Sequence, residues 1–252
     1  MNILITGTTS GIGLKLAQDY LSAGHTVHCC GRNKAILQDL VTAFGDRAKP
    51  ISFDVQNRED CLAFLSALPE LDLVILNAGT CEYIDASNFD AASFERVIRI
   101  NLIGLANCLE ALIPKLTAGA SLSLMGSSSS YLPLPRAEAY GASKAAIEYL
   151  AKTLAITLGK HGIHVSYIAP GFVETPLTDL NDFPMPMRVN VEFASRRIRQ
   201  GLEQRQSEIH FPKLFTGLMK TLSLLPFGWQ RFLLTKVLIP KLPSHPSGSL
   251  DR

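Results

Sequence analysis

The chain has 252 residues, 47% of them hydrophobic and 18% charged, with a formal net charge of +2. That length suits one α/β unit with a large core, and the near-even charge balance gives no electrostatic case for a nucleic-acid partner. The five cysteines (Cys29, Cys30, Cys61, Cys81 and Cys108) form no C-x-x-C pair, so reduced core thiols are expected and a metal site is not.

Met1 runs straight into an apolar stretch at 3–6 with no signal-like segment, and no uninterrupted apolar run reaches the ~18 residues of a bilayer span. A cytoplasmic protein is expected. Short β-like runs at 3–6, 26–30, 50–53, 71–76, 121–125 and 163–168 alternate with helical stretches at 12–23, 33–44, 57–67, 89–116 and 138–160. Continuous apolar strands joined by helices predict a doubly wound parallel sheet covered on both faces, a three-layer α/β/α arrangement. Ligands of such sheets sit at the carboxyl ends of the strands. The loops at 7–13, 31–33, 54–55, 77–79, 126–130 and 170–175 all follow strands, so they predict one crevice. Beyond about residue 176 the pattern changes to a loop at 177–189, a helix at 190–204 with Arg196, Arg197 and Arg199, and a short strand at 208–211. The tail at 213–242 alternates apolar clusters with single Lys or Arg residues, broken by Pro226, Gly228 and Pro240. The division expected is one domain over 1–212 and an amphipathic helical extension over 213–252.

The first loop, Gly7, Thr8, Thr9, Ser10, Gly11, Ile12 and Gly13, has the spacing G-x-x-x-G-x-G rather than G-x-G-x-x-G. Its glycines allow a sharp turn and close backbone approach, and the helix N-terminus that follows favours the charge of a pyrophosphate. The second strand ends in Arg32 and Asn33 with no acid to bind ribose hydroxyls. Arg32 there can pair with a 2′-phosphate, which favours NADP over NAD, or it is a solvated loop residue; Ser10 brings no second cation. Asp54 can accept the adenine amino hydrogens beside Val55, or it caps the next helix. Asn77, Ala78 and Gly79 bring small residues and an amide to the same edge. Asn101 interrupts an apolar helix, where it either stabilises a kink or holds a water.

Tyr140 and Lys144 lie four residues apart at the start of an almost wholly apolar helix, which stacks them on one face. A phenol ordinarily loses its proton near pH ~10, and a neighbouring cation favours phenolate. The preceding strand ends in a run of four serines, Ser127 to Ser130, any of which can donate a hydrogen bond to a carbonyl.

Together with Pro170, Gly171, Val173 and Thr175, these motifs stand in an order and spacing that resembles the short-chain dehydrogenase/reductase family over roughly residues 1–210. The resemblance implies a Rossmann-type sheet of about seven strands that binds NADP(H), with NAD(H) as the alternative. It implies Tyr140 as general acid/base and Lys144 as the group that lowers its pKa and holds the nicotinamide ribose. Ser127 is implied to orient the carbonyl, Asn101 to maintain a water relay, and Thr175 to meet the carboxamide. Nothing in this set departs from the family pattern. Residues 176–205 resemble the family's substrate lid, and the helices at 89–116 and 138–160 are those through which the family forms homodimers or homotetramers.

Leu134, Phe172, Phe183 and Met185 suggest an apolar substrate pocket, or they simply pack the lid onto the body. The tail is read as a hairpin covering the domain or an interface, or as cationic helices at the inner face of a membrane. The expected function is an NADP-preferring carbonyl reductase or alcohol dehydrogenase for a hydrophobic small molecule. The alternatives are a dinucleotide-binding regulatory protein on the same fold and an epimerase or dehydratase using the cofactor transiently.

Overall fold

The computed structural model describes residues 1–237. Seven parallel strands form its one sheet, in the order β3-β2-β1-β4-β5-β6-β7. They are β1 (Asn2–Thr6), β2 (Thr26–Gly31), β3 (Ala48–Ser52), β4 (Leu73–Leu76), β5 (Ser121–Met125), β6 (His164–Pro170) and β7 (Glu208–Phe211). The helices between them are α1 (Gly11–Ser22), α2 (Lys34–Phe44), α3 (Arg58–Leu65), α4 (Ala91–Ile98), α5 (Gly104–Leu112), α6 (Glu138–Gly159) and α7 (Val191–Glu203).

The two-residue period of the strands sorts the core into two layers. Leu4, Val74, Leu76, Leu122 and Leu124 point to one face, where they meet Cys61 and Leu65 of α3, Leu105 of α5 and Ile147 of α6. Ile3, Ile5, Leu73 and Ile75 point to the other, against Leu16 of α1, Leu37 of α2 and Ile198 of α7. β1 and β4, apolar on both faces, require this double cover. Helix starts are set by side-chain caps: Asn33 accepts from Ala35 and Ile36, Asn57 from Glu59 and Asp60, and Asp90 from Ala92 and Ser93. Each such cap contributes about 1 kcal/mol.

The stretch expected as one helix at 89–116 is divided. Between α4 and α5 lies a π-helical turn, Arg99–Ile103, centred on buried Asn101. By length and composition the span Ala91–Lys115 could cross a membrane, but half of its most apolar window is buried in the fold. The tail forms two helices, α8 (Lys213–Ser223) and α9 (Phe227–Val237). Ile239, Pro240 and Lys241, which belong to the same expected extension, lie outside the described residues.

The extension is tied to the sheet at Glu208, the first residue of β7. Its carboxylate takes hydrogen bonds from Lys220 of α8 and from the Tyr131 hydroxyl. Burial pushes the Glu208 carboxyl up, but those two bonds together with the charges of Lys220 and His210 hold the group below its ordinary value.

Candidate active site

β1 stops at Thr6, whose hydroxyl accepts hydrogen bonds from the backbone of Asn77 and Ala78 at 3.0 Å each, joining the ends of the two central strands. Sheet order reverses between these strands, at the switch point where doubly wound sheets open a crevice. Two glycines make the turn possible. Gly7 has φ +72°, and a Cβ on Gly13 would lie 2.1 Å from the Gly7 carbonyl oxygen. Ser10 occupies the N-cap of α1 without a capping side-chain bond, and no acid stands in the first turn. The helix therefore presents its N-terminus uncompensated, as an anion site needs.

A cleft of about 310 Å³ runs along this edge. Gly7, Thr9, Ser10, Gly11, Ile12, Arg32, Asp54, Val55, Asn77, Ala78 and Gly79 line it, as do Ser127, Tyr140, Lys144, Pro170, Gly171, Val173 and Thr175. Nearly all the residues expected at a cofactor are thus brought together. Two expectations need correcting. Asn33 does not line the cleft, because its side-chain oxygen is used to cap α2. Gly13 acts from behind the loop, as packing. Asn77 is present, but its amide donates to the carbonyls of Thr6 and Gly7 at 3.0 and 3.3 Å, so it stitches the loop together.

Asp54 is not a helix cap, since Asn57 takes that place. Its Oδ1 accepts the Gln56 amide at 3.0 Å, and its Oδ2 lies 3.4 Å from Arg32 Nη1. The Arg32 side chain is 72% exposed, so this pair is weak and Arg32 can turn to a stronger anion.

Lys144 is buried, and its Nζ donates to the Met125 carbonyl at 2.9 Å while lying 5.5 Å from the Tyr140 ring centroid. Burial pushes the ammonium down to about 8. Burial also pushes the Tyr140 phenol up, reinforced by the Cys81 thiol and opposed by a hydrogen bond with Ser127. Tyr140 is thus held protonated: its pKa was expected to be lowered by Lys144, but desolvation of the buried phenol prevails.

Asn101 shows the kink-stabilising reading. Its Oδ1 accepts the Thr80 amide at 2.7 Å, and its Nδ2 donates to the Thr80 carbonyl and to Ser143 Oγ at 2.9 and 3.0 Å. Ser143 in turn donates to the Tyr140 carbonyl at 2.7 Å, so the π turn braces the start of α6. Asn101 lies behind the cleft and does not line it.

The serine loop is held from β6. The Tyr167 hydroxyl takes the Ser127 amide at 3.2 Å and bonds Ser130 Oγ at 2.9 Å, and its ring fills the space a Cβ on Gly126 would need. Sequence reading missed Tyr167, although a Tyr inside an apolar strand signals a hydroxyl in need of a partner. Ser127 Oγ accepts the Ser129 amide at 3.1 Å and stays in the cleft.

Beyond Tyr140 a second cavity of about 410 Å³ opens, sharing Ser127, Tyr140, Gly171, Leu177 and Thr178 with the first. Leu134, Phe172 and Phe183 line it, as expected. Met185 does not; its sulfur accepts a hydrogen bond from Asn181. Unforeseen walls are Cys81, Tyr83 and the inner side of the tail, with Phe215, Met219, Leu222, Leu233 and Leu234. Phe172 stacks between Phe183 and Phe215 at 6.1 and 5.6 Å, and Tyr83 meets Phe183 edge-on at 5.3 Å. The described part of the extension therefore roofs the cavity. Polar groups are few there, which suits an apolar ligand reacting at one end.

A family model described as short chain dehydrogenase matches residues 1–182. The chain is 32% identical over 218 residues to an uncharacterized oxidoreductase of Myxococcus xanthus, covering 83% of this chain and 86% of that one. It is 32% identical over 197 residues to the rhamnolipids biosynthesis 3-oxoacyl-[acyl-carrier-protein] reductase of Pseudomonas aeruginosa, covering 69% and 73%. A short chain dehydrogenase from Burkholderia cenocepacia, solved in complex with NADP, superposes with a TM-score of 0.82 over 93% of this chain and 97% of that one. At 23% identity, that likeness is one of fold.

Proposed function

This chain belongs to the short-chain dehydrogenase/reductase family of oxidoreductases, and we propose that it interconverts a hydrophobic carbonyl compound and its alcohol with NADP(H). The observation that carries this reading is the meeting of two cavities, one polar and glycine-rich and one apolar, at Ser127 and Tyr140. The glycine turn and the acid-free start of α1 fit a dinucleotide pyrophosphate, and exposed Arg32 fits a 2′-phosphate better than a bare ribose. NADPH, when bound, supplies the hydride for reduction.

The chain's own residues supply the rest. Ser127 donates a hydrogen bond to the substrate oxygen and polarises the carbonyl. Tyr140, held protonated by burial, gives its proton to the oxygen as negative charge develops there. Lys144, charged below about pH 8, then stabilises the phenolate left behind. Asn101 and Ser143 keep the first turn of α6 in place while this happens. The apolar second cavity favours an acyl or lipid-like substrate over a small charged one.

The test is NADPH oxidation over a panel of ketones, aldehydes and quinones, run in parallel with NADH. At least one hydrophobic carbonyl is expected to turn over with a preference for NADPH. Tyr140→Phe should lower turnover by at least about a thousandfold while NADPH still binds. A Tyr140→Phe protein of near-normal activity would sink the assignment.

A further inference from the structure

The outer side of the α8–α9 hairpin is unusually apolar for a protein surface. Leu224 is 84% exposed, Leu214 73%, Phe227 64% and Trp229 62%. Single exposed apolar side chains are ordinary, but several large ones along two consecutive helices mark a docking surface. Between 213 and 237 there is no Asp or Glu, while Lys213, Lys220, Arg231 and Lys236 are cationic. Lys220 is paired with Glu208 at the sheet, which leaves the other three on exposed positions beside the apolar cluster.

We propose that this face docks on an anionic lipid bilayer. Large apolar side chains with cations interspersed enter the headgroup region, where acyl chains take the former and lipid phosphates attract the latter. Aromatic residues such as Trp229 suit that boundary, since the ring is apolar and its N–H polar. A second copy of the chain is a poorer occupant. Two such faces would bring cations against cations with no carboxylate of the hairpin to pair them, and like charges in contact are destabilising. The charge and the apolar area select the same partner.

The placement of the face relative to the cavity gives docking a purpose. Leu218 and Val237 line the second cavity and are also 57% and 52% exposed. The cavity wall and the docking face therefore adjoin, and a carbonyl compound dissolved in the bilayer reaches Tyr140 without crossing water. This last step rests on the proposed reductase activity; the docking itself does not.

Trp229 is the chain's one tryptophan, so its fluorescence reports the hairpin alone. The full-length protein is mixed with vesicles of phosphatidylcholine, or of phosphatidylcholine with phosphatidylglycerol, and followed by emission and co-sedimentation. A blue shift and pelleting with the anionic vesicles, weakened by salt, are expected. Arg231→Glu with Lys236→Glu should lower the bound fraction roughly tenfold or more. Leu224→Ser with Phe227→Ser should lower it as well, with thermal melting and NADPH binding unchanged. An unmoved emission spectrum with anionic vesicles overturns the proposal, as does equal binding to pure phosphatidylcholine. So does a halved solution mass of the Leu224/Phe227 variant without vesicle binding by the parent, which would assign the face to a second copy. No arm depends on turnover, so failure of the carbonyl screen leaves docking standing, and failure of docking leaves the screen standing.

Discussion

Lys144 shows what one buried side chain costs and what it contributes. Among the described residues its ammonium donates one hydrogen bond, to the Met125 carbonyl, and burial takes its pKa from an ordinary 10.5 to about 8. Below about pH 8 folded and unfolded chains both carry the proton, and the folded state bears the full desolvation cost. Between about 8 and 10.5 the unfolded chain keeps a proton that the folded chain has shed, so this group's contribution makes stability rise with pH. Lys144→Met removes the cost and also leaves the Met125 carbonyl without its partner. The variant should therefore be more stable than the parent at pH 7 by about 1–3 kcal/mol, with the gain shrinking towards pH 10. Tyrosines that ionise in the unfolded chain affect both proteins alike and cancel in the difference. Urea unfolding at both pH values measures it, and a gain independent of pH would show that Lys144 is not strained by burial. The same variant should lose turnover, since nothing then stabilises the Tyr140 phenolate.

At the scale of elements, the π turn Arg99–Ile103 is the local irregularity that holds the site in register. Asn101 uses one oxygen and both amide hydrogens on Thr80 and Ser143, so it bridges the loop after β4 to the start of α6. Asn101→Ala leaves the Thr80 amide and carbonyl without those partners, at an expected cost of about 2–4 kcal/mol in urea unfolding. A loss under about 0.5 kcal/mol would mean the turn is held by packing alone. That turn also marks where the sequence was readable and where it was not. β1 and β4 were legible because both their faces are apolar, and the cofactor loops because each follows a strand. Apolar periodicity cannot distinguish a π turn from an α-helix, so 89–116 reads as one helix although Asn101 stands out within it. Asn33 was expected at the cofactor and proves to be a cap, whereas Asp54, for which a cap was the alternative, lines the cleft. Asx side chains serve equally as caps or as ligand contacts, and only the backbone positions of Ala35 and of Asn57 decide between them. Tyr167, Tyr83 and the inner side of α8 were hidden because they reach the site from β6, from a loop and from the extension, separations that no local pattern encodes.

At the scale of the whole molecule, two surfaces among the described residues leave several large apolar side chains in water. One is the hairpin. Another includes Tyr149 and Ile156 of α6, 76% and 70% exposed, together with Ile103 of the π turn at 46%. Tyr149 and Ile156 are seven residues apart, two helical turns, so they lie on one stripe of α6. Unlike the hairpin, α6 carries both charge signs around that stripe, with Lys152 paired to Glu148, so two copies can meet there without a field of like charge. We propose a homodimer or homotetramer built on the helices of this face, with each site contained in its own subunit and braced from behind by α4, the π turn and α6. Tyr149→Asp with Ile156→Asp should reduce the sedimentation mass to that of a monomer while leaving vesicle binding through Trp229 intact. The reverse pairing, in which Leu224→Ser with Phe227→Ser abolishes vesicle binding and leaves the oligomer whole, completes the separation. A parent protein that sediments as a monomer at all concentrations rules the α6 interface out. If both pairings hold, one face of the molecule serves assembly and another the lipid surface, and the cleft between them is free for the cofactor.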